Sequence, residues 1–107
     1  MTVMPWFVLV ISGICESVWA IALDRSKGFS RLIPTVVFVI GLVASMGGLS
    51  YAMKHIPIGT SYAIWVGIGA AITAVYGMLS GEDAVSLIRI LLIIGLVACV
   101  IGLKLID

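Results

Sequence analysis

The sequence predicts an all-α integral membrane protein with four transmembrane helices, from its apolar content and the placement of its charges. Of its 107 residues, 63% are hydrophobic and 10% are charged, whereas soluble domains are about half apolar. The charges gather in short clusters between apolar stretches of about 20 residues, the length that crosses about 30 Å of hydrocarbon. Because lipid offers no partner to backbone polar groups, these stretches must be helices; even the smallest barrel, of about eight strands, needs a longer chain.

Charged clusters and prolines set the bounds of each helix. The first helix ends before the charged, glycine-terminated residues 24–28. The second carries Pro34 in its first turn, where a missing N–H costs little. Residues 81–83 separate the third helix from the fourth, and the first helix lacks the basic start and cleavage site of a signal peptide. We predict one four-helix domain over residues 1–107, with helices at 3–23, 32–53, 58–80 and 87–106.

The basic residues give only a weak preference for one insertion orientation. Four crossings place both termini on one side of the membrane. That side holds Lys54 and Lys104, and the other side holds Arg25, Lys27, Arg31 and Arg89. Orientation follows such Lys and Arg counts, and a difference this small leaves it open. The net charge of +1 and the lack of a basic run argue against nucleic acid as a partner.

Small residues recur at helical spacing in the last two helices. Such stripes let helix backbones approach closely, within a chain or between two chains. We predict packing or dimer contacts at Gly59, Ala63, Gly67, Gly95, Ala98 and Gly102. The alternative is that glycine is simply frequent in membrane helices.

One acidic residue, Glu16, lies well inside a predicted helix. The other acidic residues lie in loops or at the chain end: Asp24, Glu82, Asp83 and Asp107. A charge at that depth costs about 2.5 kcal/mol or more, and such residues typically mark ion or proton pathways. The alternative is a neutral, hydrogen-bonded structural carboxyl. Because every Lys and Arg lies in a loop or near the end of a span, none is placed to pair with Glu16, and the pathway interpretation is favoured.

Polar and small residues on three helices are predicted to surround Glu16. At spacings of three and four, Ser12 and Trp19 share its helix face and can donate hydrogen bonds to it, while Gly13 leaves space. Trp19 could instead be an interfacial anchor. Aromatic faces attract cations, although Tyr62 and Trp65 taken alone fit ordinary packing. The predicted pocket comprises Ser12, Gly13, Trp19, Ser45, Tyr62 and Trp65.

The two cysteines, Cys15 and Cys99, lie within apolar stretches. In that setting they are expected to be small hydrophobic residues, and they form neither a disulfide framework nor a metal motif. We therefore expect no metal ion, no cofactor and no enzymatic activity.

Three segments resemble the small multidrug resistance transporters, and the likeness covers essentially the whole chain. They are residues 13–20 (GICESVWA), 27–34 (KGFSRLIP) and 57–69 (PIGTSYAIWVGIG). A tryptophan one turn after the glutamate, as Trp19 follows Glu16, resembles the pattern of the guanidinium exporters in that family. The exporters of polyaromatic drugs tend to carry a small residue there.

The resemblance implies a proton-coupled antiporter of the bacterial inner membrane. It implies an antiparallel, dual-topology dimer in which Glu16 of each chain binds protons and guanidinium-type cations in alternation. It also implies that Trp19 and Ser45 hydrogen-bond Glu16, that Tyr62 supplies a switching hydroxyl, and that Trp65 lines the pocket.

One departure concerns the first loop, where Asp24 stands in place of the lysine usual among the relatives. It alters the charge of this loop, and a pair of sister subunits with opposite fixed orientations stays open beside a homodimer. Two other functions also stay open: a broad quaternary ammonium exporter of the same family, and a non-transporting subunit in which Glu16 is structural or belongs to a proton-carrying rotor ring. Four spans instead of a two-helix hairpin argue against the ring.

Overall fold

Four membrane-length helices make up most of the computed structural model, which describes residues 3–106. They are α1 (Val3–Arg25), α2 (Leu32–Met53), α3 (Ile58–Leu79) and α4 (Leu87–Ile106). The prediction of four long apolar helices is confirmed. The sequence placed the end of α1 at residue 23 and that of α3 at residue 80, so α1 is longer and α3 shorter than expected. Asp107, placed by the sequence at the chain end, lies outside the described residues.

Ser26 organises the tight turn between α1 and α2. Its fully buried hydroxyl donates to the carbonyl oxygen of Leu23 at 2.7 Å and accepts from the backbone N–H of Phe29 at 3.1 Å. Lys27, Gly28 and Phe29 all have positive φ, at 52°, 71° and 69°. This region favours glycine, so the bonds to Ser26 hold two non-glycine residues in a conformation that they rarely adopt. The turn brings α2 back antiparallel to α1.

The first helix is the centre of the bundle. It packs against both α2 and α3, which also touch each other, whereas α4 packs against α3 alone. The buried apolar core lies in the half of the bundle nearest the chain ends and consists of Leu9, Leu49, Ala52, Ile56, Ile64 and Trp65. No residue of α4 is buried. The site is therefore built from α1, α2 and α3.

Glycines allow the close approach of these three helices. A Cβ built at Gly48 of α2 would lie 3.0 Å from Cβ of Ser12, and one built at Gly13 would lie 2.8 Å from Cβ of Ile68 on α3. Either distance is tighter than side chains tolerate. In the absence of a hydrophobic force between helices in lipid, such close backbone packing is what holds them together.

The predicted small-residue stripes pack only in part within the chain. A Cβ at Gly67 would meet Cγ2 of Val100 at 2.5 Å, so this residue does join α3 to α4. The other three glycines of the stripes, Gly59, Gly95 and Gly102, have open space where a Cβ would be. Ala63 and Ala98 are exposed. Within the described chain these three glycines contact no neighbouring helix at the Cβ position, so the prediction of packing or dimer contacts for them stays a prediction.

Candidate functional site

Glu16 lies at mid-height in α1, with its side chain against α3. A Cβ built at Gly69 would stand 2.8 Å from Cγ of Glu16 and 2.5 Å from its carboxyl carbon. The carboxyl group therefore occupies the volume that any other residue at position 69 would fill. The sequence places Gly69 on one stripe of α3 with Tyr62 and Trp65, but Gly69 was not among the predicted site residues.

The carboxyl group of Glu16 has no partner in the described chain. Its Oε1 is buried and makes no hydrogen bond with any of residues 3–106. The ion pair observed among these residues joins Arg25 to Glu82 instead, at the end of α1. In the lipid interior, a carboxylate without a counter-charge is costly. The carboxyl group of Glu16 can be neutralised by binding a proton, or it can pair with a cation that has N–H donors.

Trp19, one turn after Glu16, is held towards α2. Its ring meets Phe38 edge-on at a centroid distance of 5.9 Å, and a Cβ at Gly41 would lie 3.1 Å from the Cβ of Trp19. Its indole Nε1 is buried without a partner among the described residues. The hydrogen bond to Glu16 that the resemblance implied is absent in this single chain, because the indole packs on α2 while the carboxyl group packs on α3.

Ser45 and Trp65 form a buried polar bridge to the backbone of α1. The hydroxyl of Ser45, which is 0% exposed, donates to the carbonyl oxygen of Ser12 at 2.8 Å. The indole N–H of Trp65 donates to the same hydroxyl at 2.9 Å. In an α-helix the carbonyl of residue 12 also accepts the amide of residue 16. The bridge thus fixes α2 and α3 to the turn of α1 that carries Glu16.

The hydrogen bonds that Ser45 and Ser12 donate differ from those predicted for them. Ser45 was expected to hydrogen-bond Glu16, but its single proton is committed to the carbonyl of Ser12. Ser12 was expected to orient Glu16, but its hydroxyl donates to the carbonyl of Val8 at 2.7 Å, within its own helix. A hydroxyl has one proton, so neither serine has another to offer Glu16 in this arrangement.

Tyr62 lies next to the bridge but on the surface of the chain. Its ring packs on that of Trp65 at 5.7 Å with an angle of 35°, and it is 53% exposed. The predicted residues therefore form two groups. Ser12, Ser45, Trp65 and Tyr62 share one level, and Glu16 and Trp19 share the next, with Gly13 set between α1 and α3. One chain does not close a pocket around Glu16.

An acidic cavity lies on the loop side of Glu16. It has a volume of about 490 Å³, and its walls include Ala20 and Thr73, each about one turn beyond the contact of Glu16 with Gly69. Three carboxylates line it: Asp24, Glu82 and Asp83. Arg25 lies at its edge, donates to the hydroxyl of Tyr76 and lies 3.9 Å from Glu82. Acidic side chains therefore line the cavity at the loop end of the bundle, and the cavity extends from there towards Glu16.

Four membrane-length helices with a partnerless carboxyl group at mid-span define a polytopic membrane protein with a polar site inside the bilayer. The profile of the family described as Small Multidrug Resistance protein matches residues 4–97. The chain belongs to this family, and the resemblance found in the sequence is confirmed.

Curated relatives match along almost their whole length. The chain is 48% identical to a guanidinium exporter of Yersinia pestis over 102 residues, which are 95% of this chain and 98% of that protein. It is 44% identical to a guanidinium exporter of Proteus vulgaris, with the same coverage of both chains. For a guanidinium exporter of Salmonella typhimurium strain LT2 the identity is 47%, over 95% of this chain and 97% of the relative. The four apolar helices and the bacterial relatives identify a multi-pass protein of the bacterial inner membrane.

Proposed function

We propose that this protein is a proton-coupled antiporter that exports guanidinium or small substituted guanidinium cations, with the whole chain acting as one transport domain. The observation that carries the proposal is the carboxyl group of Glu16, which lies at mid-span without a hydrogen-bond partner or counter-charge among residues 3–106. The names of the relatives supply the substrate class and favour a transporter over an enzyme.

The chemistry of guanidinium suits a lone carboxylate. The planar cation presents N–H donors along its edges and can pair with both oxygens of a carboxylate at once. A protonated carboxyl group is neutral and offers the cation no such pair. Protons and guanidinium therefore exclude each other from Glu16. If the site opens to one side of the membrane at a time, this competition couples entry of protons to exit of the cation.

We further propose that the working unit is an antiparallel dimer, formed by two copies or by this chain and a sister subunit. Two features support it: α4 buries none of its residues, and the small residues Gly95, Ala98 and Gly102 face away from α3. Tyr62 is likewise exposed beside the site. In a dimer two carboxyl groups would lie near each other, so their titrations would be coupled and belong to the pair.

The other site residues have distinct proposed roles in such a dimer. The free indole N–H of Trp19 is a donor for the ionised carboxylate or for an oxygen of the partner chain. The bridge through Ser45 and Trp65 sets the position of the turn that carries Glu16. Tyr62, stacked on Trp65, supplies a hydroxyl that can change partners when the site opens to the other side.

Transport by purified protein in liposomes tests the role of Glu16. We expect an imposed proton gradient to drive guanidinium uptake into liposomes with the wild type and none above background with Glu16→Gln, which keeps the shape of the side chain but cannot ionise. Asp107→Asn, which removes a carboxyl group at the chain end, is the matched control and should transport normally. Guanidinium uptake driven by the proton gradient in Glu16→Gln would refute the proposal.

Two further measurements test whether protons compete with guanidinium and which cations are transported. Because protons compete for the carboxylate, guanidinium binding to the wild type should weaken as the pH is lowered, and Glu16→Gln should bind no guanidinium at any pH. Tetraethylammonium, which has no N–H donor, should be taken up far more slowly than guanidinium or methylguanidinium under the same proton gradient. Equal rates of uptake would instead favour a broad quaternary ammonium exporter.

A further inference from the structure

A second polar cavity lies at the other end of the bundle, where α1 begins and α4 ends. Its volume is about 610 Å³. It exists because α4 packs against α3 and not against α1, so a gap remains between the last turn of α4 and the first turn of α1. Trp6 and Lys104 line the two sides of this gap, and the turn between α2 and α3, with His55 and the buried Ile56, closes its floor.

The cavity is lined by one lysine, Lys104. Nζ of Lys104 lies 4.9 Å from the centre of the Trp6 ring, which directs the ammonium group across the gap. Among residues 3–106, the acidic side chains lie at mid-span or at the opposite end, so none of them pairs with Lys104. Asp107, three residues after Lys104, lies outside the described residues. At the opposite end, by contrast, Arg25 is paired with Glu82.

The position of the cavity matches that of lipid headgroups. Trp6 and Lys104 lie in the first and last turns of membrane-length helices, and Trp and Lys at such ends sit at the membrane interface. Basic pockets between transmembrane helices are suited to phosphate headgroups. The adjoining surface of α4 is apolar and unburied, so acyl chains could lie along it below a bound headgroup.

We propose that this cavity binds the phosphate headgroup of an anionic phospholipid, with Lys104 as its principal contact and Trp6 packed beneath. The ring of Trp6 holds the ammonium group in place by a cation–π contact and packs on the glycerol region. This site is separate from Glu16, and its existence does not depend on the proposed transport function.

Native mass spectrometry of the purified protein with added lipid tests the site. We expect phosphatidylglycerol to be retained about fivefold better than phosphatidylcholine with the same acyl chains, as one favourable lysine contact would give. Lys104→Gln should abolish this preference and Lys104→Arg should keep it. Lys27→Gln removes an exposed lysine at the opposite end and is the matched control, with the preference intact.

The outcomes separate the proposal from its rivals. Equal retention of the two lipids by the wild type, or an unchanged preference in Lys104→Gln, would overturn it. Displacement of phosphatidylglycerol by millimolar glycerol 3-phosphate would identify a site for soluble phosphate compounds and overturn the assignment to lipid. If lipid preference is lost in Lys104→Gln while guanidinium transport fails in every protein, the lipid site stands and the proposed function does not.

Discussion

The first three helices and the fourth are similarly apolar, but they differ in how many of their residues are buried within the chain. In α1 to α3, serines and glycines are buried, and two of the serines take part in hydrogen bonds that join the helices. In α4 no residue is buried, and Gly95 and Gly102 face open space. Hydropathy alone does not distinguish these helices, since all four qualify as membrane spans.

The difference shows which parts of the molecule are held by contacts within one chain and which are not. The turn of α1 that carries Glu16 is fixed from two sides, by Gly69 on α3 and by the bridge through Ser45 on α2. The outer face of α4 is contacted by none of the other helices described. A position close to the carboxyl group should therefore be sensitive to the smallest change, while a position on α4 should matter only for association.

The largest effect is expected at Gly69. In Gly69→Ala the new methyl group would lie 2.8 Å from Cγ of Glu16, so the carboxyl group must move by an appreciable fraction of its own size. A displacement of about 1 Å at a reacting group can cost about a hundredfold in rate, and we expect a loss of that order in guanidinium flux. Flux is measured in liposomes at matched protein density.

Gly47→Ala is the control for this change. Gly47 is an exposed glycine of α2 with nothing within 4 Å of a built Cβ, so its flux should equal that of the wild type. Equal losses in both variants would show that the effect is a general one on membrane helices and would contradict the close contact of Gly69 with Glu16.

A smaller effect, on stability, is expected at the bridge. Ser45→Ala removes the donor to the carbonyl of Ser12 and leaves the buried indole N–H of Trp65 without an acceptor. An unsatisfied buried donor costs about 1–3 kcal/mol. We expect the free energy of unfolding in mixed micelles to fall by about that amount.

Ser50→Ala, on an exposed position of the same helix, should leave this free energy unchanged. A double-mutant cycle with Trp65→Phe then isolates the bridge, because the two changes should be less than additive if they remove the same hydrogen bond. Strict additivity would mean that Ser45 and Trp65 act independently.

The sequence predicted the helices well because the membrane imposes a length and excludes charge. It placed the end of α1 two positions early because it marked the end of the apolar run. The helix continues through Asp24 and Arg25, whose side chains can reach polar surroundings, and Arg25 meets Tyr76 and Glu82 there. Hydropathy marks where lipid ends, and backbone hydrogen bonding does not have to end at the same residue.

The site was predictable in part. Glu16 stood out because a lone carboxyl group in an apolar run has few explanations. Its contact with Gly69 and the link from Ser45 to Ser12 did not follow from the sequence, because a membrane helix is apolar on all sides and its periodicity does not reveal which face meets which neighbour. The rotation of each helix is set by the close contacts of Gly13, Gly41 and Gly48, which involve residues distant in the chain.

The smallest effect is expected from substitutions on α4, which should change only the association of two chains. At 100° per residue, Ala98 and Gly102 lie on the side of α4 opposite Val100, which meets Gly67 of α3. Ala98→Phe should therefore leave the unfolding of the chain unchanged but weaken the proposed dimer about tenfold, because close packing of small residues drives helix association in lipid. Energy transfer between labelled chains in liposomes, diluted with lipid, measures the change. Val97→Phe, at an exposed position about 100° around α4 from Ala98, should dimerise like the wild type. If Ala98→Phe dimerises normally while Val97→Phe does not, the dimer uses a different face of α4 from the small-residue stripe.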